Sequence, residues 1–102
     1  MLKGRSSGLL LPIFSLPGDY GVGTLGRSAR QFIDFLAQAR QHTWQILPLV
    51  PPGSGDSPYM SPSAFAGNPW LLDLEDFVQR GLLTSEELNA ARYPDPDRVN
   101  YD

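Results

Sequence analysis

The chain has 102 residues, 41% of them hydrophobic, with ten glycines, ten prolines, one histidine, no cysteine and a net charge of −3. This length bounds it to one small domain or a piece of a larger one, and the glycine and proline content marks a loop-rich chain rather than a disordered one. Its eight basic residues, Lys3, Arg5, Arg27, Arg30, Arg40, Arg80, Arg92 and Arg98, are scattered singly, so no basic stripe can neutralise a phosphate backbone and no nucleic acid is expected as a partner.

Without cysteine there is no disulfide framework and no thiolate metal site, and His42 alone cannot build a multi-histidine one. No metal is therefore expected, and the composition fits a reducing compartment. The start, MLKGRSSGLLLPIF, sets two basic residues before an apolar run. That run is short, Pro12 interrupts it, and no small-residue cleavage pattern follows, so a signal peptide is not the expected reading. No apolar run approaches the roughly 20 residues of a membrane span. The expectation is a soluble, cytoplasmic protein with no membrane partner.

In chain order, GLLLPIFSL over residues 8–16 reads as a strand buried on both faces, with Pro12 awkward inside it. PGDYGVGTLG, residues 17–26, is a string of turn formers. From Ser28 to Arg40 the period changes. Ala29, Phe32, Ile33, Leu36 and Ala37 fall at the spacing of an amphipathic helix, and Phe35 broadens its apolar side. TWQILPLV, residues 43–50, reads as a second buried strand closed by Pro51 and Pro52. Strand, helix and strand in about forty residues make a βαβ unit with parallel strands.

Residues 54–69, SGDSPYMSPSAFAGNP, then carry neither a helical nor a strand period. Loops this long in compact domains are functional or disordered. LLDLEDFVQRGLL reads as a helix with Leu71, Leu74, Phe77 and Val78 on one face and Gly81 just past its end. TSEELNAAR opens with a capping box, Thr84 answered by Glu87. YPDPDRVNYD reads as an exposed, turn-rich tail. Two parallel strands with open edges are too little for a free-standing sheet, so the fold class expected is α/β, the first slice of a larger fold. In barrel versions of such folds, functional loops follow the C-terminal ends of the strands. Both proline- and glycine-rich loops here hold that position.

No protein-only catalytic set is visible: there is no G-x-S-x-G elbow, Walker loop or histidine pair. Gly21, Gly23 and Gly26 match G-x-G-x-x-G literally, but the acid expected at the end of the second strand is missing, which argues against a dinucleotide. Trp44 reads as strand packing, and His42 as a residue near a helix terminus. Asp56 reads either as an Asx-turn former or as an acceptor for substrate hydroxyls. Tyr59 offers an apolar face and a phenolic tip, which suits a sugar ring and equally suits packing the loop down.

The blocks SGLLLPIFSLPGDYGVGTLG, FIDFLAQARQHTWQILPLVP, GDSPY-SAFAGNP and LLDLEDFVQRGLL, in that order, resemble the N-terminal part of the amylomaltases, the 4-α-glucanotransferases also called disproportionating enzymes. The resemblance runs from about Arg5 to Asp102. It implies the first two strands and flanking helices of a (β/α)8 TIM barrel, with residues 1–102 an incomplete N-terminal part of it. It further implies retaining transfer of a 1,4-α-glucan segment to a new 4-position, without metal or organic cofactor. Maltodextrins, starch or glycogen are the implied partners.

Carried over by position, Tyr59 becomes the stacking platform of the donor site, and Ser57 a hydroxyl-binding or loop-fixing partner. Asp56 joins them as a substrate-binding candidate. Ala66, Gly67, Asn68 and Pro69 hold the loop's shape, and Tyr101 matches a position implicated in an outer glucan site. Ser54 stands where some members carry an aromatic at that outer site, and Thr24 where the family usually carries an acid. The catalytic carboxylates follow later strands in the family, so none of Asp19, Asp34, Asp56 or Asp73 is assigned that role and this segment alone is expected to be inactive. A noncatalytic glucan-binding remnant and an α-amylase-type hydrolase are the alternatives; GDSPY-SAFAGNP argues against the second.

Overall fold

The computed structural model describes residues 4–101, so the first three residues of the weighed signal sequence lie outside the described residues. Two short strands, β1 (Gly8–Leu10) and β2 (Thr43–Gln45), pair in parallel with Leu9 opposite Trp44. Helix α1 (Arg27–Gln38) connects them, and α2 (Leu74–Gln79) and α3 (Ser85–Ala90) follow. The βαβ unit is present as its hydrophobic period implies, and its strands are parallel.

Both strands are shorter than expected, and proline is the reason at β1. Pro12 offers no donor to a ladder, and the chain turns there into a 3-10 segment, Ile13–Ser15. Leu11 still donates to Gln45 at 3.0 Å before the turn, and the His42 N–H extends the other end of the pairing to the Ser7 carbonyl at 2.9 Å. Past Gln45, β2 has no partner strand to pair with among the described residues, and TWQILPLV runs on without a ladder.

The expectation of strands buried on both faces is also corrected: Leu9 is exposed and Leu10 is 58% exposed. Two strands and one helix cannot cover both faces of a sheet. The helical stripe divides for the same reason. Ala29 and Leu36 are buried and Phe32 packs against the core, while Ile33 is 53% exposed and Phe35 is exposed too.

The core instead gathers residues from the segments after the strands. Ile13, Phe14, Leu16, Ala29 and Leu71 form it, with Leu11, Val22, Phe32, Trp44, Ile46 and Tyr101 packed around them. Burying Ile13, Phe14, Leu16 and Leu71 contributes about 1.5–3 kcal/mol each. Trp44 is packing as expected: its ring meets Phe32 edge-on at 4.9 Å, and its Nε1 donates to the Leu11 carbonyl at 2.9 Å.

Helix ends follow local chemistry. At the end of α1, Gln41 N–H reaches the Leu36 carbonyl at 2.9 Å and Arg40 N–H the Ala37 carbonyl at 3.1 Å, a Schellman closure with Arg40 held at φ 56°. The same closure ends α2, where Gly81 takes the left-handed position at φ 74° and Leu82 donates to Phe77. The helix is shorter than the LLDLEDFVQRGLL pattern suggests. Leu71 lies in a separate 3-10 turn, Pro69–Leu71, because Asp73 caps α2 by accepting from Glu75 N–H at 3.1 Å. The expected capping box of α3 is complete: Thr84 Oγ1 accepts from Glu87 N–H, and Glu87 Oε2 accepts from Thr84 N–H at 2.9 Å.

The C-terminal segment is not a free tail. Tyr93 N–H donates to the Asp19 carbonyl at 2.6 Å, Asn100 N–H to the Gly21 carbonyl at 2.7 Å, and Arg92 pairs with the Asp19 carboxylate at 3.1 Å. Residues 92–101 therefore lie across the 17–26 loop. Tyr101 carries the hydrophobic contact that draws them there, its ring 6.1 Å from Phe14 and 5.8 Å from Trp70. The segment is largely exposed, as its turn-rich composition implies, yet one aromatic packed against the core is enough to dock it.

Candidate functional site

Because β1 and β2 are parallel, the loops that follow them leave from the same end of the pair. The first, residues 17–26, is overlaid by the C-terminal segment. The second, residues 50–69, is shaped by short local ties. Ser54–Asp56 form a 3-10 turn in which Gly55 and Asp56 both take positive φ, 68° and 56°. Gly53 N–H reaches the Ser57 carbonyl at 3.3 Å and Met60 N–H the same carbonyl at 3.2 Å, so the segment folds back on itself around SPY. Ser61 and Ser63 continue the shape: Ser63 Oγ accepts from Ala66 N–H at 3.2 Å.

On this frame Tyr59 is 71% exposed, so its ring is presented rather than packed down. Its N–H donates to Ser57 Oγ at 3.3 Å, which ties Tyr59 and Ser57 to one turn. Asp56 is exposed on the preceding turn. Its backbone N–H donates to the Gly53 carbonyl at 3.1 Å. Of the segment 66–69, Asn68 is buried, and it fixes the loop's end by accepting from Trp70 N–H at 2.9 Å.

Tyr101 is placed apart from Tyr59 in character. It is half-buried among aromatic rings, and burial first, then the negative charge of Asp56, pushes its phenol above the usual tyrosine value. Beside Tyr101 lies a cleft of about 260 Å³ lined by Tyr20, Val22, Trp70, Asn100 and Tyr101. Tyr20 also ionises late, chiefly through burial, with Arg92 opposing and Glu75, Asp19 and Asp73 adding to the shift. Trp70 and Tyr20 were not singled out by sequence. Trp70 directly follows the loop and faces Phe14 edge-on at 6.5 Å; its place after N-P was the available signal.

A parallel strand pair joined by a helix, with exposed aromatic and polar side chains on the loops at one end, defines a unit of the α/β class, in which ligands meet the strand C-termini. The sequence profile described as 4-alpha-glucanotransferase matches residues 11–102. The chain is 48% identical over 101 residues to the 4-alpha-glucanotransferase of Streptococcus pneumoniae serotype 4, covering 98% of this chain and 20% of that protein. It is 58% identical over 83 residues to the 4-alpha-glucanotransferase of Thermus thermophilus, covering 81% of this chain and 17% of that protein. Among solved structures, amylomaltase from Streptococcus agalactiae in complex with acarbose superposes with a TM-score of 0.87 at 46% identity, covering 96% of this chain and 20% of that one. The chain belongs to the 4-alpha-glucanotransferase family. It spans about a fifth of the length of the relatives it matches. Among the described residues no helix is long and apolar enough to cross a membrane.

Proposed function

We propose that residues 1–102 are the N-terminal part of a (β/α)8 barrel, and that the protein carrying them transfers a segment of a 1,4-α-D-glucan to the 4-position of an acceptor glucan or glucose. Two carboxylates on other strands do the chemistry. One attacks the anomeric carbon to give a covalent glycosyl intermediate, and the other protonates the leaving oxygen and then deprotonates the acceptor hydroxyl. This segment supplies one wall of the donor site. The Tyr59 ring receives the C–H face of a glucose unit, and Ser57 and Asp56 accept hydrogen bonds from its hydroxyls. Tyr101 contacts the glucan further out. The substrates are maltodextrins, starch or glycogen, and the setting is cytoplasmic.

The observation that carries this reading is the exposed Tyr59 ring on an ordered loop, one turn from Ser57 and Asp56. Its surroundings are consistent with an oligosaccharide ligand such as acarbose, present in the amylomaltase structure this chain resembles. The test is Tyr59→Ala in the native, full-length protein, with maltotriose as donor and acceptor. Loss of the platform lowers transition-state stabilisation by about 1–3 kcal/mol, read as kcat/KM. Parent-like kcat/KM would remove Tyr59 from the site.

A further inference from the structure

Asn68 is the buried polar side chain of the described residues, 7% exposed. Both ends of its amide are used. Its Oδ1 accepts from Trp70 N–H at 2.9 Å, and its Nδ2 donates to the Val50 carbonyl at 3.4 Å, across eighteen positions of sequence. Val50 is where the loop leaves the second apolar run, and Asn68 is where it ends. By contrast, the hydrogen bonds that shape residues 53–66 run within the loop itself, from Gly53 to Ser57, Ser57 to Met60 and Ser63 to Ala66. Local ties of that kind preserve a turn without fixing its place on the protein.

We propose that Asn68 is a positioning residue for the candidate site: a clasp that draws the two ends of the loop together and so fixes where Tyr59, Ser57 and Asp56 stand. The inference rests on the reading of this loop as a glucan-binding wall. An amide is suited to the task because it must accept at one end and donate at the other. A carboxylate of the same size keeps the bond to Trp70 but turns an acceptor toward the Val50 carbonyl. A misplacement of about 1 Å in a substrate-positioning element lowers turnover on the order of a hundredfold.

The test compares Asn68→Asp with Leu88→Ala in the native, full-length protein. Leu88 is buried in α3, outside the core cluster that Leu71 joins, and makes neither hydrogen bond of the clasp, so its truncation gives a control that lowers stability. Two readouts are taken well below the melting temperature: the rate of thermolysin cleavage within residues 54–66, and kcat and KM on maltotriose. The clasp predicts that Asn68→Asp speeds loop cleavage on the order of tenfold, as loss of one part-buried hydrogen bond allows. It also predicts a fall in kcat/KM of roughly 10- to 100-fold, while Leu88→Ala changes neither. Loop cleavage no faster than in the parent overturns the clasp. A loosened loop with parent-like kcat/KM overturns the positioning role. Tyr59→Ala separates the two ideas: if it is impaired while Asn68→Asp is not, the clasp alone fails, and if Tyr59→Ala is parent-like, the glucan-wall reading fails first.

Discussion

Three glycines in the 50–69 loop are placed so differently that replacing each with alanine has a different expected outcome. At Gly53 an added methyl would overlap the Met60 carbonyl oxygen and lie 2.8 Å from its carbon. Both atoms are backbone, so the fold-back around SPY must open, at about 1–3 kcal/mol by the measure of overpacked sites. At Gly55 there is open space, but the backbone sits at φ 68°, where a side chain costs about 1–2 kcal/mol. At Gly67 nothing lies within 4 Å and φ is not positive. Alanine there stabilises by about 0.4–1 kcal/mol through the unfolded chain. The assay is thermal unfolding together with kcat/KM on maltotriose for the three variants of the native protein. Gly53→Ala should lose the most activity, because its clash is with the backbone of Met60, the residue that follows Tyr59. Gly55→Ala should lose stability with a smaller loss of activity, and Gly67→Ala should match or exceed the parent. A Gly53→Ala variant that behaves like Gly67→Ala would refute the loop geometry on which the site rests.

Four further outcomes follow from the same structure. Arg40→Gly relieves the left-handed backbone at the end of α1 and raises unfolding stability by about 1 kcal/mol, read by denaturant titration. Thr84→Ala removes the cap of α3 at about 1 kcal/mol, visible as faster amide exchange at Leu88. The hydrogen bonds from Thr84, backbone first and then side chain, hold the Glu87 carboxyl below its ordinary value of 4.5. Its folded value is depressed, so the stabilisation is fully present above that ordinary value and is lost as pH falls through the lower folded value; Glu87→Gln should abolish that part of the acid dependence in a pH series of unfolding curves. Asp56→Asn removes a negative neighbour of Tyr101, so the phenol should ionise at lower pH than in the parent when followed by NMR of labelled tyrosine.

What could be read from sequence was local. The period of Ala29, Phe32 and Leu36 located α1 to within two residues, and Thr84 with Glu87 announced a capping box that is present atom for atom. Gly81 was legible because its left-handed position favours that residue. What escaped depends on partners distant in the chain. Pro12 is awkward in a strand, yet whether it bulges or ends β1 turns on the place waiting for Ile13 and Phe14 in the core. The docking of residues 92–101 depends on Asp19, Gly21, Phe14 and Trp70, none of which the tail's own composition can announce. Leu10, Ile33 and Phe35 are exposed despite their apolar period, which states which face seeks cover and not whether cover is present. At the site, GDSPY marked the residues correctly as a loop. The contact between Asn68 and Val50 needed the fold.

The most direct measurement is a structure of the native, full-length protein with acarbose bound. A sugar ring should lie on the face of Tyr59 within about 4 Å, with hydroxyls in hydrogen-bond reach of Ser57 Oγ or the Asp56 carboxylate. A bound acarbose held elsewhere, with the Tyr59 ring covered by protein, would contradict it.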